Sequence, residues 1–355
     1  MEPGASKSSG KRARAPRFPI RQQLRRLRNR KRALIYTHDN PDPDSLAAAW
    51  GLARLIEHQL GIEAVIAHGG IVGRAQNRAM VDILGIQLTA VEGMDLKAFD
   101  LVALVDSQPE TGNNSLPVDH PIDIVIDHHP PRTESRRAPW ADIRPDLGAT
   151  STIIFEYLRT LNVPIDSPLA TAFFFALRTE TRDLGREATG QERTAYLALV
   201  PIVDHALLYH MTHPKVPREH CIALDRALRS AVSYGSIVAV NLGTLGYPDL
   251  VAEIADLLLS YENAKLVLCA GRYEHSAYLS LRAEPAQRRA GSIMRSIVGN
   301  SGAAGGHGTM AGARLFARID SAQDLAREFE RVVANLCDLL GQDVRKPDVL
   351  LQGRG

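Results

Sequence analysis

The sequence predicts an α/β protein with a parallel-sheet N-terminal domain linked to a smaller α/β C-terminal domain. Three observations lead there. Short runs rich in β-branched residues, "ALIYT" (33–37), "IEAVIAH" (62–68), "DLVALVD" (100–106) and "IDIVID" (122–127), alternate with amphipathic stretches, the pattern of a parallel sheet with crossover helices. The 355 residues, 45% hydrophobic and 23% charged, have ordinary globular composition and suffice for about two domains. Prolines break the chain at "THPKVPREH", and a second α/β pattern follows.

The elements fall in order. Helices are expected over 44–60 and 73–84 between the first strands, then over 148–161, 168–180 and, as one long helix, 189–208. Residues 211–232 read as a linker and a helix. The C-terminal domain, 233–345, takes strands from "SIVAVNLG", "AKLVLCAGRY" and "SAYLSLRA", with a helix near "DLVAEIADLLLSY" and another at 322–340. The glycine-rich stretch 299–312 reads as a loop. "AFFFAL" (172–177) reads as core.

Charge is unevenly spread. Of 42 Lys and Arg, twelve lie in residues 1–32 with Glu2 as the sole acid there, so the other 30 face 39 of the 40 acids. A basic arm, expected to be flexible, precedes an acidic body. Such an arm either contacts nucleic acid through its phosphates or serves as a solubilising tail. Leu24 and Leu27 could give it a short helix. No apolar run reaches the roughly 18 residues of a membrane span, and no secretory segment is seen, so a cytoplasmic location is expected. Cys221, Cys269 and Cys337 are too scattered for a disulfide or thiolate metal framework and read as packing residues.

The chemistry sits where strands end. In open parallel sheets ligands bind at the carboxyl ends of strands. Here "ALIYT" runs into "HDNPDPD", "LVALV" into Asp106, and "IDIVI" into "DHH". One such Asp is ordinarily a turn former or helix cap, and Asp44 alone would fit that. Three strand ends carrying His38, Asp42, Asp44, Asp106, His128 and His129 are better explained by metal. Carboxylates mixed with imidazoles suit Mn²⁺, Mg²⁺ or Zn²⁺, and a set this size suggests two ions sharing a carboxylate and a water, as in phosphoryl hydrolysis.

In this order, "HDNPDPDSLAAA", "VALVDSQ", "VIDHHPP", "RTETRDLG" and "GGHGTMAGA" resemble the motifs of the DHH phosphoesterases, a superfamily that includes RecJ-like exonucleases, oligoribonucleases and cyclic-di-AMP phosphodiesterases. The resemblance covers roughly residues 33–340. It implies a DHH metal-binding catalytic domain at 33–210 and a DHH-associated substrate-binding domain at 233–345. It implies two Mn²⁺, with Mg²⁺ as the alternative: one held by His38 and Asp42, one by Asp44 and His128, with Asp106 bridging. His129 would sit near the reacting phosphate and Asp127 would orient an imidazole. Glu180 stands where the motif usually has Asp and would be the further carboxylate ligand, or Asp183 would assist. Arg282, Gly305, Gly306 and His307 would clasp the substrate phosphate, glycines letting backbone N–H groups approach an anion and Arg offering a fork.

The expected function is hydrolysis of short oligonucleotides or small nucleotides such as pAp or a cyclic dinucleotide. A polyphosphate or pyrophosphate hydrolase and a catalytically weak nucleotide-binding regulator are the alternatives. The resemblance allows a homodimer, with no interface legible in the sequence.

Overall fold

The structure, a computed structural model, describes residues 20–185, 188–284 and 289–350. The chain divides into two units between Thr212 and His213, with the segment Gly73–Arg78 grouped with the second.

In the first unit the apolar runs become β1 (Arg32–Tyr36), β2 (Glu63–His68), β3 (Thr89–Ala90), β4 (Leu101–Val105), β5 (Ile124–Asp127) and β6 (Trp140–Ile143). All pair in parallel, in the order β3-β2-β1-β4-β5-β6. Alternate residues serve opposite faces, as the period of two in a strand requires. Ala33, Ile35, Ala103, Val105, Ile124 and Ile126 join one core, while Leu34, Tyr36, Val102, Leu104 and Val125 join another.

The helices are α1 (Ile20–Arg26), α2 (Pro43–Leu60), α3 (Ala75–Leu84), α4 (Thr150–Thr160), α5 (Ser167–Thr181), α6 (Gly190–Leu199) and α7 (His205–Thr212). Leu46, Leu52 and Ile56 of α2, Ile153 and Leu158 of α4, and Phe173 of α5 fill the first of those cores. Phe173, Phe174 and Phe175 are buried in it. The start of α2 is fixed by a capping box: the Ser45 N–H donates to Asp42 Oδ1 at 3.0 Å and the Asp42 N–H to Ser45 Oγ at 3.1 Å.

The second unit contains α8 (Arg218–Ser230), β7 (Val232–Tyr234), β8 (Ile237–Thr244), α9 (Leu250–Leu258), β9 (Leu266–Tyr273), β10 (Ser276–Ala283), α10 (Ala290–Val298), β11 (Gly302–His307), β12 (Met310–Leu315), α11 (Ala322–Leu340) and β13 (Asp348–Val349). Its sheet, ordered β11-β12-β10-β9-β8-β7-β13, is antiparallel except where β8 and β9 run together. One face packs on α10 and α11, the other on α8 and α9.

Four expectations are corrected. The long helix over 189–208 is two, α6 and α7, because Pro201 supplies no N–H to continue the helical hydrogen bonds, although Val200 before it keeps helical backbone angles. The glycine-rich loop is the β11–β12 hairpin. Its second strand buries Ala311, Ala313 and Leu315 on alternate positions, and a Cβ on Gly306 (φ 143°) would run into the Met310 carbonyl and Ala311. Residues 20–32, expected within a flexible arm, are anchored: Ile20, Leu24 and Leu27 are buried in the first core. Residues 1–19 lie outside the described part. Cys221 is exposed, whereas Cys269 and Cys337 are buried as packing residues. No described helix is long and apolar enough to cross a membrane.

Candidate metal centre

The strands that end in polar residues, β1, β4 and β5, are neighbours, and the order reverses between β1 and β4. That reversal opens a crevice beyond the strand ends, where open α/β sheets place ligands.

Just beyond β1, His38 Nδ1 meets the Asp39 carbonyl at 2.9 Å, which places the proton on Nδ1 and leaves Nε2 for the crevice. Nε2 lies 3.6 Å from Asp42 Oδ1 and 3.6 Å from Asp106 Oδ2. Asp42 thus caps α2 and faces the site. Asp44, in the first turn of α2, is buried; its carboxylate accepts from the Thr150 N–H at 2.7 Å and the Ser151 N–H at 2.9 Å, at the start of α4. The partial positive charge of that helix end suits a buried acid.

At the end of β4, Asp106 turns into the left-handed region (φ 57°), a conformation that costs a non-glycine residue on the order of 1–3 kcal/mol. Its two oxygens face different partners. Oδ2 points to His38, while Oδ1 is 3.6 Å from His128 Nε2, 3.7 Å from His129 Nδ1 and 2.8 Å from the donating Thr150 hydroxyl. Two groups of ligand atoms therefore form, each within 4.8 Å: His38, Asp42 and Asp106, and Asp106, His128 and His129. Asp106 belongs to both.

After β5, the buried His128 has Nδ1 on the Leu147 carbonyl at 3.2 Å and Nε2 4.0 Å from Asp44 Oδ2. Asp127 Oδ1 accepts from His129 Nδ1 at 2.8 Å and from its backbone N–H at 3.1 Å. Behind it the buried side chain of Gln108 donates to Asp127 Oδ2 at 2.7 Å and to the Pro130 carbonyl at 3.1 Å. Gln108 Oε1 accepts from the Arg132 N–H and the Ser135 hydroxyl, each at 2.8 Å. Glu180 sits near the end of α5, outside both groups of ligand atoms; its charge acts on Asp44 and His128.

The electrostatics are those of a site that wants cations. Burial, then the charges of Asp44 and Asp42, hold the Asp106 carboxyl well above the usual carboxylate range. Burial also pushes Asp44 up to about 6; the His128 charge opposes this, and Glu180 and Asp42 reinforce it. For His38 burial acts downward, but the bond to Asp42 and the charges of Asp42 and Asp106 carry it up to about 10. His128 and His129 are raised in the same way, against burial, by the surrounding carboxylates. Asp42 and Asp127 are lowered, burial being outweighed by their contacts with His38 and His129 respectively.

The donor set fits divalent metal. His38 and His128 both turn Nε2 inward from an Nδ1 held by a carbonyl. Separations of 3.6 Å exceed a hydrogen bond and lie near the edge of about 3.4 Å that two ligands make around a tetrahedral ion at about 2.1 Å. A carboxylate with one oxygen toward each group suits a bridging position between two ions.

In the second unit Arg282 lies on β10 and is buried, its Nε donating to Asp256 Oδ1 at 2.8 Å. Gly305 and Gly306 lie on β11, which His307 closes; the His307 side chain is outside the described part. The close approach of α10, where a Cβ on Gly291 would meet the Gly306 carbonyl, accounts for small residues there. Thr150 and Gln108 were missed by the sequence reading. The "TST" opening a predicted helix carried a cue for Thr150 in its capping chemistry, whereas nothing local marks Gln108.

Residues 32–177 match the model of the DHH family, N-terminal domain. An uncharacterized protein of Methanocaldococcus jannaschii is 30% identical over 328 residues, 90% of this chain and 66% of that protein. An A-adding tRNA nucleotidyltransferase of Geobacter sulfurreducens is 25% identical over 300 residues, 79% of this chain and 32% of that protein. The chain thus spans about two thirds and one third of the length of these curated relatives. The fold is similar to the crystal structure of an exopolyphosphatase-related protein from Bacteroides fragilis, with a TM-score of 0.69 at 15% identity, covering 91% of this chain and 96% of that one.

Proposed function

Because the chain belongs to the DHH superfamily, we propose that it is a cytoplasmic, manganese-dependent phosphoesterase that hydrolyses short oligonucleotides or small nucleotides. One observation carries the reading: Asp106 presents one oxygen to the His38 side and the other to the His128 and His129 side. His38 and Asp42 would hold one ion, Asp44 and His128 the other, with Asp106 shared and Glu180 completing the set through its reach to Asp44 and His128. Divalent cations held there would supply a lowered pKa for bound water and compensation for charge on a phosphoryl group.

The remaining steps belong to the protein. Asp127 fixes His129 by two bonds from one oxygen, so the imidazole presents Nε2 to a phosphate oxygen without a rotamer search. With Nδ1 held against the Asp127 carboxylate, a proton on Nε2 would make the ring a charge-assisted donor. Thr150 holds Asp106 from outside both groups of ligand atoms. Arg282, Gly305, Gly306 and His307 would bind the rest of the substrate. The relative named for tRNA favours a nucleotide ester over other phosphates.

The test is hydrolysis of a dinucleotide, a longer RNA, pAp, cyclic-di-AMP and polyphosphate with Mn²⁺, with and without chelator, beside Asp106→Asn. Turnover of a nucleotide ester that chelator and the substitution both abolish is expected. Turnover of polyphosphate alone would replace the substrate class. Metal bound without turnover of any of them would leave a nucleotide-binding regulator.

A further inference from the structure

The chain pairs many of its surface arginines with acids. Arg30 meets Asp123 at 2.8 Å, Arg32 meets Glu63 at 3.0 Å, Arg54 meets Asp166 at 2.9 Å and Arg137 meets Glu110 at 3.1 Å. Arg21, Arg25 and Arg28, like the exposed Arg136, Arg193 and Arg314, have no described acid paired with them, and these three lie together. Arg21 and Arg25 sit one turn apart on α1, and Arg28 lies in the turn that follows. With Gln59, Leu60 and Leu161 they line a recess of 120 Å³. Three unneutralised guanidinium groups on one surface repel one another unless an anion joins them. Their footing is firm, because Ile20, Leu24 and Leu27 anchor this segment in the core.

The recess lies far from the metal centre. Gln59 and Leu60 end α2, whose other end carries Asp42 and Asp44, and Leu161 follows α4, whose other end carries Thr150. The 18 residues of α2 rise about 27 Å and the 11 of α4 about 16 Å. At about 3.4 Å per nucleotide of a stacked strand, the longer distance corresponds to about eight nucleotides. Repeating phosphates along a strand match the spaced forks, which are suited to phosphate oxygens.

We propose that Arg21, Arg25 and Arg28 form a second binding site, which holds the phosphate backbone of a single-stranded nucleic acid whose end lies at the metal centre. Placing the strand's end at the metal centre rests on the proposed function; the binding itself does not. A dinucleotide cannot touch both sites, whereas a strand of about twelve or more nucleotides can.

The experiment compares full-length wild type with the triple variant Arg21→Ala, Arg25→Ala, Arg28→Ala, measuring fluorescence anisotropy of a labelled 16-nucleotide oligo-uridine RNA in chelator across a salt series. Loss of three phosphate contacts is expected to make the slope of log K against log salt shallower by about 2 and to weaken binding at least about tenfold at the lowest salt. Dinucleotide turnover should be unchanged, and a triple Arg→Lys variant should keep most of the slope. An unchanged slope and affinity would overturn the site. So would an equal loss of turnover on dinucleotide and 16-mer, which would mean general damage to the enzyme. Competition by inorganic polyphosphate as effective per phosphate as RNA would overturn the nucleic-acid partner in favour of any polyanion. If no dinucleotide is hydrolysed at all, the phosphoesterase reading fails while the salt slope still decides the binding site.

Discussion

The ends of β1, β4 and β5 and the last residues of β10 both hide charge, and they balance it differently. On β10, Arg282 is neutralised within the protein by Asp256 at 2.8 Å. At the three strand ends Asp42, Asp44 and Asp106 are brought together so that Asp44 and Asp106 resist ionisation and the imidazoles gain protons. The Arg282–Asp256 pair is balanced without a guest. The three strand ends relieve their repulsion only by taking up protons or cations, as a set of metal ligands does.

The sharpest way to break this comparison is to remove the shared acid. Asp106→Asn should lower turnover by at least about a thousandfold, because the group facing both sets of ligand atoms loses its charge. The same change should raise the melting temperature of metal-free protein at pH 8. A carboxyl whose folded pKa lies above its unfolded value favours the protonated fold. Its charge therefore costs stability above the raised pKa, and the cost vanishes as pH falls toward the unfolded value near 4. The gain over wild type should thus shrink on acidification. Scanning calorimetry in chelator from pH 8 to pH 4 checks it, and a variant less stable at pH 8 would contradict the picture of uncompensated charge.

Next in size is the residue that steadies that acid. Thr150 donates its hydroxyl to Asp106 at 2.8 Å and its N–H to Asp44 at 2.7 Å. Thr150→Val keeps the shape and the N–H but not the hydroxyl, and should weaken Mn²⁺ binding by roughly 10–100-fold, the usual cost of losing an outer-shell partner. Thr150→Ser should restore most of it. Titration calorimetry of Mn²⁺ on metal-free protein is the measurement. Wild-type affinity should climb with pH, since Asp44 must lose a proton near 6 and His38 must give one up to bind metal.

The balanced region offers a smaller effect. Arg282→Ala should raise KM by about tenfold with kcat little changed if the guanidinium leaves Asp256 for a substrate phosphate, since a uniform binding contact shows in KM. Unchanged KM and kcat would confine Arg282 to its pair with Asp256.

These expectations divide along what the sequence could show. β1, β4 and β5 were legible because their β-branched residues fill both faces of the sheet, and the residues at their ends were legible because the crevice lies there. Thr150 contacts Asp106 across 44 residues of chain, and only folding brings α4 beside β4. The hairpin over 302–315 was hidden because glycine disfavours strands; its pairing with β10 overrides that preference. The break at Pro201 was legible in principle, since a proline outweighs helical periodicity on either side.

Gln108 is the subtlest case, and it marks how far the site's order extends. It makes four hydrogen bonds, two of them to Asp127 and the Pro130 carbonyl, two from Arg132 and Ser135, and so ties the exit of β4 to the turn that carries His128 and His129. No ligand atom is its own, so it acts through Asp127 on the orientation of His129. Gln108→Ala should lower kcat about tenfold or less while Mn²⁺ affinity and KM stay within about twofold, because a loosened imidazole costs orientation at the reacting phosphate and not metal. Gln108→Glu keeps the acceptor for Arg132 and Ser135 but sets a carboxylate against Asp127, so it should be the worse of the two variants. If instead both variants lose Mn²⁺ affinity in step with kcat, Gln108 belongs to the support of the metal ligands, and the division between residues that hold metal and residues that aim His129 falls.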